Sequence, residues 1–113
     1  MVRHVRSAFH NQTVHLADLL NRAPMPIIVA GRIYVKTEQR EDFLAGSRNA
    51  MELARRTKGC DDFVVAPDPL DPSRVNAFEI WRTRNQLAAF RESGPDDGLS
   101  ALIERADVRE YEA

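Results

Sequence analysis

The segment Val75-Asn76-Ala77-Phe78-Glu79-Ile80-Trp81-Arg82 sets a carboxylate two residues from the single tryptophan of the chain. Side chains of an extended strand alternate between faces, so Val75, Ala77, Glu79 and Trp81 share one face and Asn76, Phe78, Ile80 and Arg82 the other. A carboxylate and an indole then stand side by side. The indole can stack on a flat ring and donate one hydrogen bond. The carboxylate, in apolar surroundings, becomes a base of raised pKa. Each has a plainer role too: Trp81 as a large core residue closing the end of a sheet, Glu79 as one half of an ion pair. Arg32 and Tyr34 form a second polar pair, near the end of an upstream strand and on one of its faces. Arg32 can steady a developing oxyanion. Alternatively it pairs with Glu79 inside a dimer, because buried charges are usually partnered.

Other chemistries find little material. A phosphate-cradling glycine loop, a dinucleotide fingerprint, a zinc-ligand spacing and a nucleophile elbow are all missing, and the five glycines stand singly. No nucleotide cofactor and no metal site are therefore expected. The histidines at 4, 10 and 15 are six and five residues apart, spacings that do not stack two imidazoles on one helical face. Cys60 is alone and cannot form an internal disulfide, which fits a reduced, cytoplasmic protein and a small buried hydrophobe at a strand start. With 16 basic and 17 acidic side chains, the charge balance offers nothing to nucleic acid or to an anionic membrane. No apolar run is long enough to span a bilayer.

The elements that must position these groups follow from periodicity and punctuation. Residues 1–25 read as an extension with one short helix over Thr13 to Asn21, and residues 26–113 as a single domain. Pro26 to Val35 is a β-branched strand, apolar on both faces near its start. Thr37 is placed to cap a helix running to about Lys58, with Phe43, Leu44, Ala50, Met51 and Ala54 as its buried stripe and Gly59 as its stop. Cys60 to Ala66 is a second strand, and Pro67 to Ser73 a turn-rich connection. After the Glu79–Trp81 strand, Thr83 caps a helix to Ser93. Gly94 to Gly98 breaks the chain, a short helix spans Leu99 to Glu104, and Ala106 to Glu112 forms the last strand. The order is β-α-β-β-α-β: an α+β, ferredoxin-like arrangement, an antiparallel sheet with helices on one face. Its first strand is apolar both ways, so the bare face is expected to meet a second copy in a homodimer.

The Glu-x-Trp strand leading straight into a Leu-Ala-Ala-aromatic helix resembles the antibiotic biosynthesis monooxygenase family, small proteins that pair as dimeric α/β barrels. The resemblance covers about Pro26 to Tyr111. It implies oxidation of a phenolic or hydroquinone-type small aromatic molecule by O₂ without metal, flavin or haem. The protein need supply only a dry aromatic pocket and a group that takes or steadies a phenolic proton. On that reading Trp81, Tyr34 and Arg32 carry the catalysis, and Phe43, Met51, Phe63, Glu79, Asn85, Phe90 and Leu102 bind the substrate, between sheet and helices. The chain departs from the family at two places. Phe90 stands where many members carry a helix histidine, and Ser93-Gly94-Pro95-Asp96 occupies the site of a second. Their loss argues against haem degradation and leaves an alternative: a non-catalytic, small-molecule-binding or stress-related dimer of the same fold.

Overall fold

The structure, a computed structural model, describes residues 25–94 and 98–113. The helix expected over residues 13–21 lies outside the described residues. Eight elements follow in order: β1 (Ile27–Val35), a 3₁₀ turn (Thr37–Gln39), α1 (Arg40–Arg55), β2 (Cys60–Pro67), β3 (Arg74–Trp81), α2 (Arg84–Ser93), a second 3₁₀ turn (Leu99–Leu102) and β4 (Ile103–Glu112). The strands form one antiparallel sheet in the order β2-β3-β1-β4. This is the ferredoxin-like arrangement that the alternation of elements predicts.

Register decides which face each side chain takes. Ile27 lies opposite Trp81, Val29 opposite Glu79, Ile33 opposite Val75, and on the other side Val29 opposite Glu110. These rows point toward the helices. Two apolar clusters result. Ile27, Val29, Ala54, Phe63, Trp81 and Leu87 form one, with Met51, Cys60, Val65 and Phe90 packed against it. Val35, Phe43 and Val75 form the other, flanked by Leu99, Leu102 and Ile103. Each large apolar side chain buried this way contributes about 1.5–3 kcal/mol, so the clusters anchor both helices to the same face.

Several boundaries differ from the sequence reading, for local reasons. Thr37 is not the cap of α1: a 3₁₀ turn over Thr37–Gln39 precedes the helix, and neither its start nor that of α1 has a side-chain cap hydrogen bond. Helix α1 ends at Arg55, before Lys58. Thr57 Oγ1 takes up the Leu53 carbonyl and Gly59 turns the chain at φ 95°, where a side chain would be strained. Of the expected stripe, Phe43 and Ala54 are buried and Leu44, Ala50 and Met51 half-buried, while Ser47 is buried unexpectedly, its hydroxyl donating to the Phe43 carbonyl. The helix expected over Leu99 to Glu104 is a single 3₁₀ turn, because Ile103 already pairs with Val35 and draws the following residues into β4.

Two devices hold the strand connections. One guanidinium nitrogen of Arg40, at the start of α1, donates to the carbonyls of Asp68, Asp71 and Arg74 at 2.9–3.2 Å, clamping the Pro-rich connection. At Gly31 the β4 backbone comes so close that a Cβ would lie 2.6 Å from Val108 Cα and still nearer the Asp107 carbonyl oxygen. Among the described residues no helix is long and apolar enough to cross a membrane.

Candidate functional site

The Glu79–Trp81 pair forms as the alternation of β3 predicts. Trp81 Nε1 donates to Glu79 Oε1 at 2.8 Å. Trp81 itself is completely covered, its ring centroid 5.2 Å from that of Phe90, and Phe90 meets Phe63 edge-on at 5.8 Å. Phe90 reaches this position because Thr83 caps α2, accepting from the Gln86 amide at 3.0 Å, which aims Leu87 and Phe90 at the sheet. The tryptophan is therefore a core residue whose ring packs on other aromatics and whose N–H fixes a carboxylate.

Glu79 is half-buried, with Val29 and Phe63 as its cross-strand neighbours. Removal from water pushes its carboxyl above the ordinary value; the Trp81 N–H and the positive charge of Arg91 oppose this in part, and Glu110 adds to the rise. Arg91 belongs to a bridge between α2 and β4: Glu110 accepts from Arg91 Nη1 at 2.8 Å and from Arg84 Nη1 at 2.6 Å, and Arg84 also faces Glu112 at 3.5 Å. The next row of the same face holds Ala77, Gly31 and Val108, two of them small, and Val108 remains 38% exposed. The helix face beside Glu79 is thus floored by small residues toward β4. A carboxylate of raised pKa, fixed by an indole N–H and flanked by aromatic side chains, is equipped to take a proton from a weak acid.

The remaining sequence-selected residues separate. Arg32 lies opposite Asn76 and Tyr34 opposite Arg74, on the face of the sheet away from the helices. Trp81, Tyr34 and Arg32 therefore do not converge on one pocket within a chain, since the sheet stands between them. The alternative pairing of Arg32 with Glu79 is corrected for the same reason: Arg32 Nη2 donates to Asp107 Oδ2 at 3.0 Å, a partner supplied by β4. Tyr34 lies under Arg105, whose guanidinium carbon is 3.9 Å from the ring centroid. Met51, Phe63 and Phe90 gather around Trp81, whereas Phe43 and Leu102 pack in the other cluster. Asn85, in the first turn of α2, is exposed.

The open face holds a concavity of about 420 Å³, lined by Arg32, Arg74, Asn76, Asp107, Arg109 and Tyr111 over a floor of Ala30 and Gly31. Sequence reasoning passed over most of these residues. Arg105, Asp107, Arg109 and Tyr111 recur at every second position of the last strand, and that period placed them on one face. Among the described residues no cluster of three His, Cys, Asp or Glu side chains is placed to hold a metal.

A four-stranded antiparallel sheet in this order, with both helices on one face, defines an α+β ferredoxin-like domain. The antibiotic biosynthesis monooxygenase family model matches residues 26–95. A Synechocystis protein described only as uncharacterised is 36% identical over 105 residues, spanning 85% of this chain and 69% of its own length. The chain belongs to the antibiotic biosynthesis monooxygenase family. Solved structures share the fold. A Nitrosomonas europaea protein, described provisionally as an antibiotic biosynthesis monooxygenase, superposes at TM-score 0.73 with 23% identity over 81% of this chain and 93% of that one. A Mycobacterium tuberculosis protein, Rv0793, does so at 0.68 with 22% identity over 78% and 94%.

Proposed function

We propose that this protein is a cofactor-independent monooxygenase that oxidises a phenolic or hydroquinone-type small aromatic molecule with O₂. The observation that carries the reading is the half-buried Glu79 carboxylate, held by the Trp81 N–H at 2.8 Å beside Phe63 and Phe90 on the helix face, where burial favours its protonated form. Glu79 takes the phenolic proton. The phenolate passes one electron to O₂; the resulting phenoxyl and superoxide radicals join at an unsubstituted ring carbon ortho or para to the oxygen, Glu79 returns its proton to the peroxide, and loss of water with the hydrogen of that carbon gives a quinone. One phenol and one O₂ become one quinone and one H₂O. Trp81 acts as a positioning residue in this scheme, not as a group that touches substrate. Arg32 and Tyr34, assigned to catalysis from sequence, serve the opposite face.

The reading includes a homodimer whose open sheet faces pack together. Phe78 and Tyr111 are 39% and 41% exposed there, and Ile28, Ile80 and Val64 share that face. A reduced Cys60 fits a cytoplasmic setting. The test is O₂ uptake by chelator-treated protein against a panel of hydroquinones and fused-ring phenols. Uptake is expected to survive chelation and to fall at least tenfold in Glu79→Gln, which keeps an oxygen for the indole N–H but is no base. Uptake unchanged by that substitution removes Glu79 from the mechanism. Phe90 supports a second reading, a binding protein without turnover, because it packs on Trp81 from the helix position where many family members carry a histidine. Quenching of Trp81 fluorescence by the same compounds with no O₂ uptake selects it.

A further inference from the structure

The oxidation chemistry leaves the charges of the open face unused. By register that face carries Arg32, Arg74, Arg105 and Arg109 against Asp62 and Asp107. Within the concavity three guanidiniums, of Arg32, Arg74 and Arg109, meet one lining carboxylate, Asp107, and Asp68 reaches Arg74 from the loop at 3.5 Å. Asp107 serves two guanidiniums at once, accepting from Arg32 Nη2 at 3.0 Å and from Arg109 Nε at 3.1 Å. The other N–H groups of these two forks have no protein partner among the described residues. When two such faces are brought together, the guanidinium clusters of the two concavities are like charges that oppose their close approach.

We propose that the open-face concavity binds a small aromatic carboxylate, and that this anion ties together the paired faces of two copies. The inference rests on the pairing part of the proposed function, not on the oxidation. Its volume of about 420 Å³ lies inside the range of about 300–1,000 Å³ usual for small-molecule sites. The planar forks of Arg32 and Arg109 match a carboxylate. Tyr111 gives a wall for a ring, continued in its row by Ile28 and Ile80, apolar surface that inorganic phosphate does not use. The floor is the short Ala30 side chain and the backbone at Gly31. A ligand that neutralises like charges between two copies binds the dimer better than the monomer, so it strengthens self-association by linkage.

Sedimentation equilibrium at constant ionic strength tests this with benzoate, benzamide and inorganic phosphate as probes. Benzoate is expected to lower the dimer dissociation constant at least tenfold, and neither benzamide nor phosphate to do so. Arg109→Gln alters a side chain that is 69% exposed and bonded only to Asp107. That variant is expected to self-associate in plain buffer at least as well as the parent and to lose the benzoate response. A dimer indifferent to benzoate overturns the inference and leaves pairing intact. Equal effects of phosphate and benzoate overturn the aromatic carboxylate. A chain that stays monomeric in every probe overturns the pairing, and with it this inference.

Discussion

Replacing Trp81 by phenylalanine tests the view that the tryptophan is a core anchor whose N–H controls Glu79. The indole is 0% exposed and donates to the Glu79 carboxylate at 2.8 Å. Hydrogen bonds to charged groups are worth about 1.5–3 kcal/mol, and the part of the indole not replaced by a phenyl ring leaves a small void costing roughly 1 kcal/mol more. Trp81→Phe should therefore lose about 2.5–4 kcal/mol at pH 7, a large share of the roughly 5–15 kcal/mol that holds a domain together. The loss should also depend on pH. Burial raises the folded-state pKa of Glu79 above its unfolded value, so the ionised carboxyl opposes folding above that pKa. Stability is gained as pH falls through it and the proton goes on. Without its N–H donor the ionised carboxylate is worse off still, so the cost of Trp81→Phe should shrink between pH 7 and pH 4. In a Glu79→Gln background it should be smaller already at pH 7. Urea unfolding followed by far-ultraviolet circular dichroism measures all four proteins, because the tryptophan signal is lost in two of them. A cost below about 1 kcal/mol at pH 7, or one identical at both pH values in the Glu79 parent, would refute the reasoning.

Two further outcomes follow from the strand connections. Gly31→Ala puts a Cβ 2.6 Å from Val108 Cα, a backbone atom that cannot turn aside; β4 should move out at a cost of about 1–3 kcal/mol. Amide exchange should quicken across residues 103–112 and not in β2, and equal protection in both proteins would count against the close approach. Asp68 has its carboxyl lowered to about 2 by the Asn76 side chain first, then by the Asp71 and Leu70 amides, with Arg74 adding to the effect. Its contribution is present above the ordinary carboxylate pKa of about 4 and is lost as pH falls toward 2. Carboxyl-detected NMR titration should find Asp68 still ionised at pH 3, and Asp68→Ala should flatten the stability profile between about pH 4 and 2.

Element order, the Thr83 cap and the pairing of Glu79 with Trp81 were legible from residues alone, because each is set within a few positions of the chain. A two-residue period puts an indole beside a carboxylate in any strand, and a threonine before Arg84 caps a helix wherever the helix lies. The resemblance in the same stretch was enough to name the family. The division of the selected residues between two sheet faces was not legible. Arg32 finds Asp107, 75 positions away, only once β4 aligns beside β1, and Arg40 finds three carbonyls only when the connection after β2 folds back on α1. Alternation determines which side chains of one strand travel together. Which of two faces meets the helices depends on strand order and register, and these are decided by burying Ile27, Val29, Val35, Val75 and Trp81 jointly against α1 and α2.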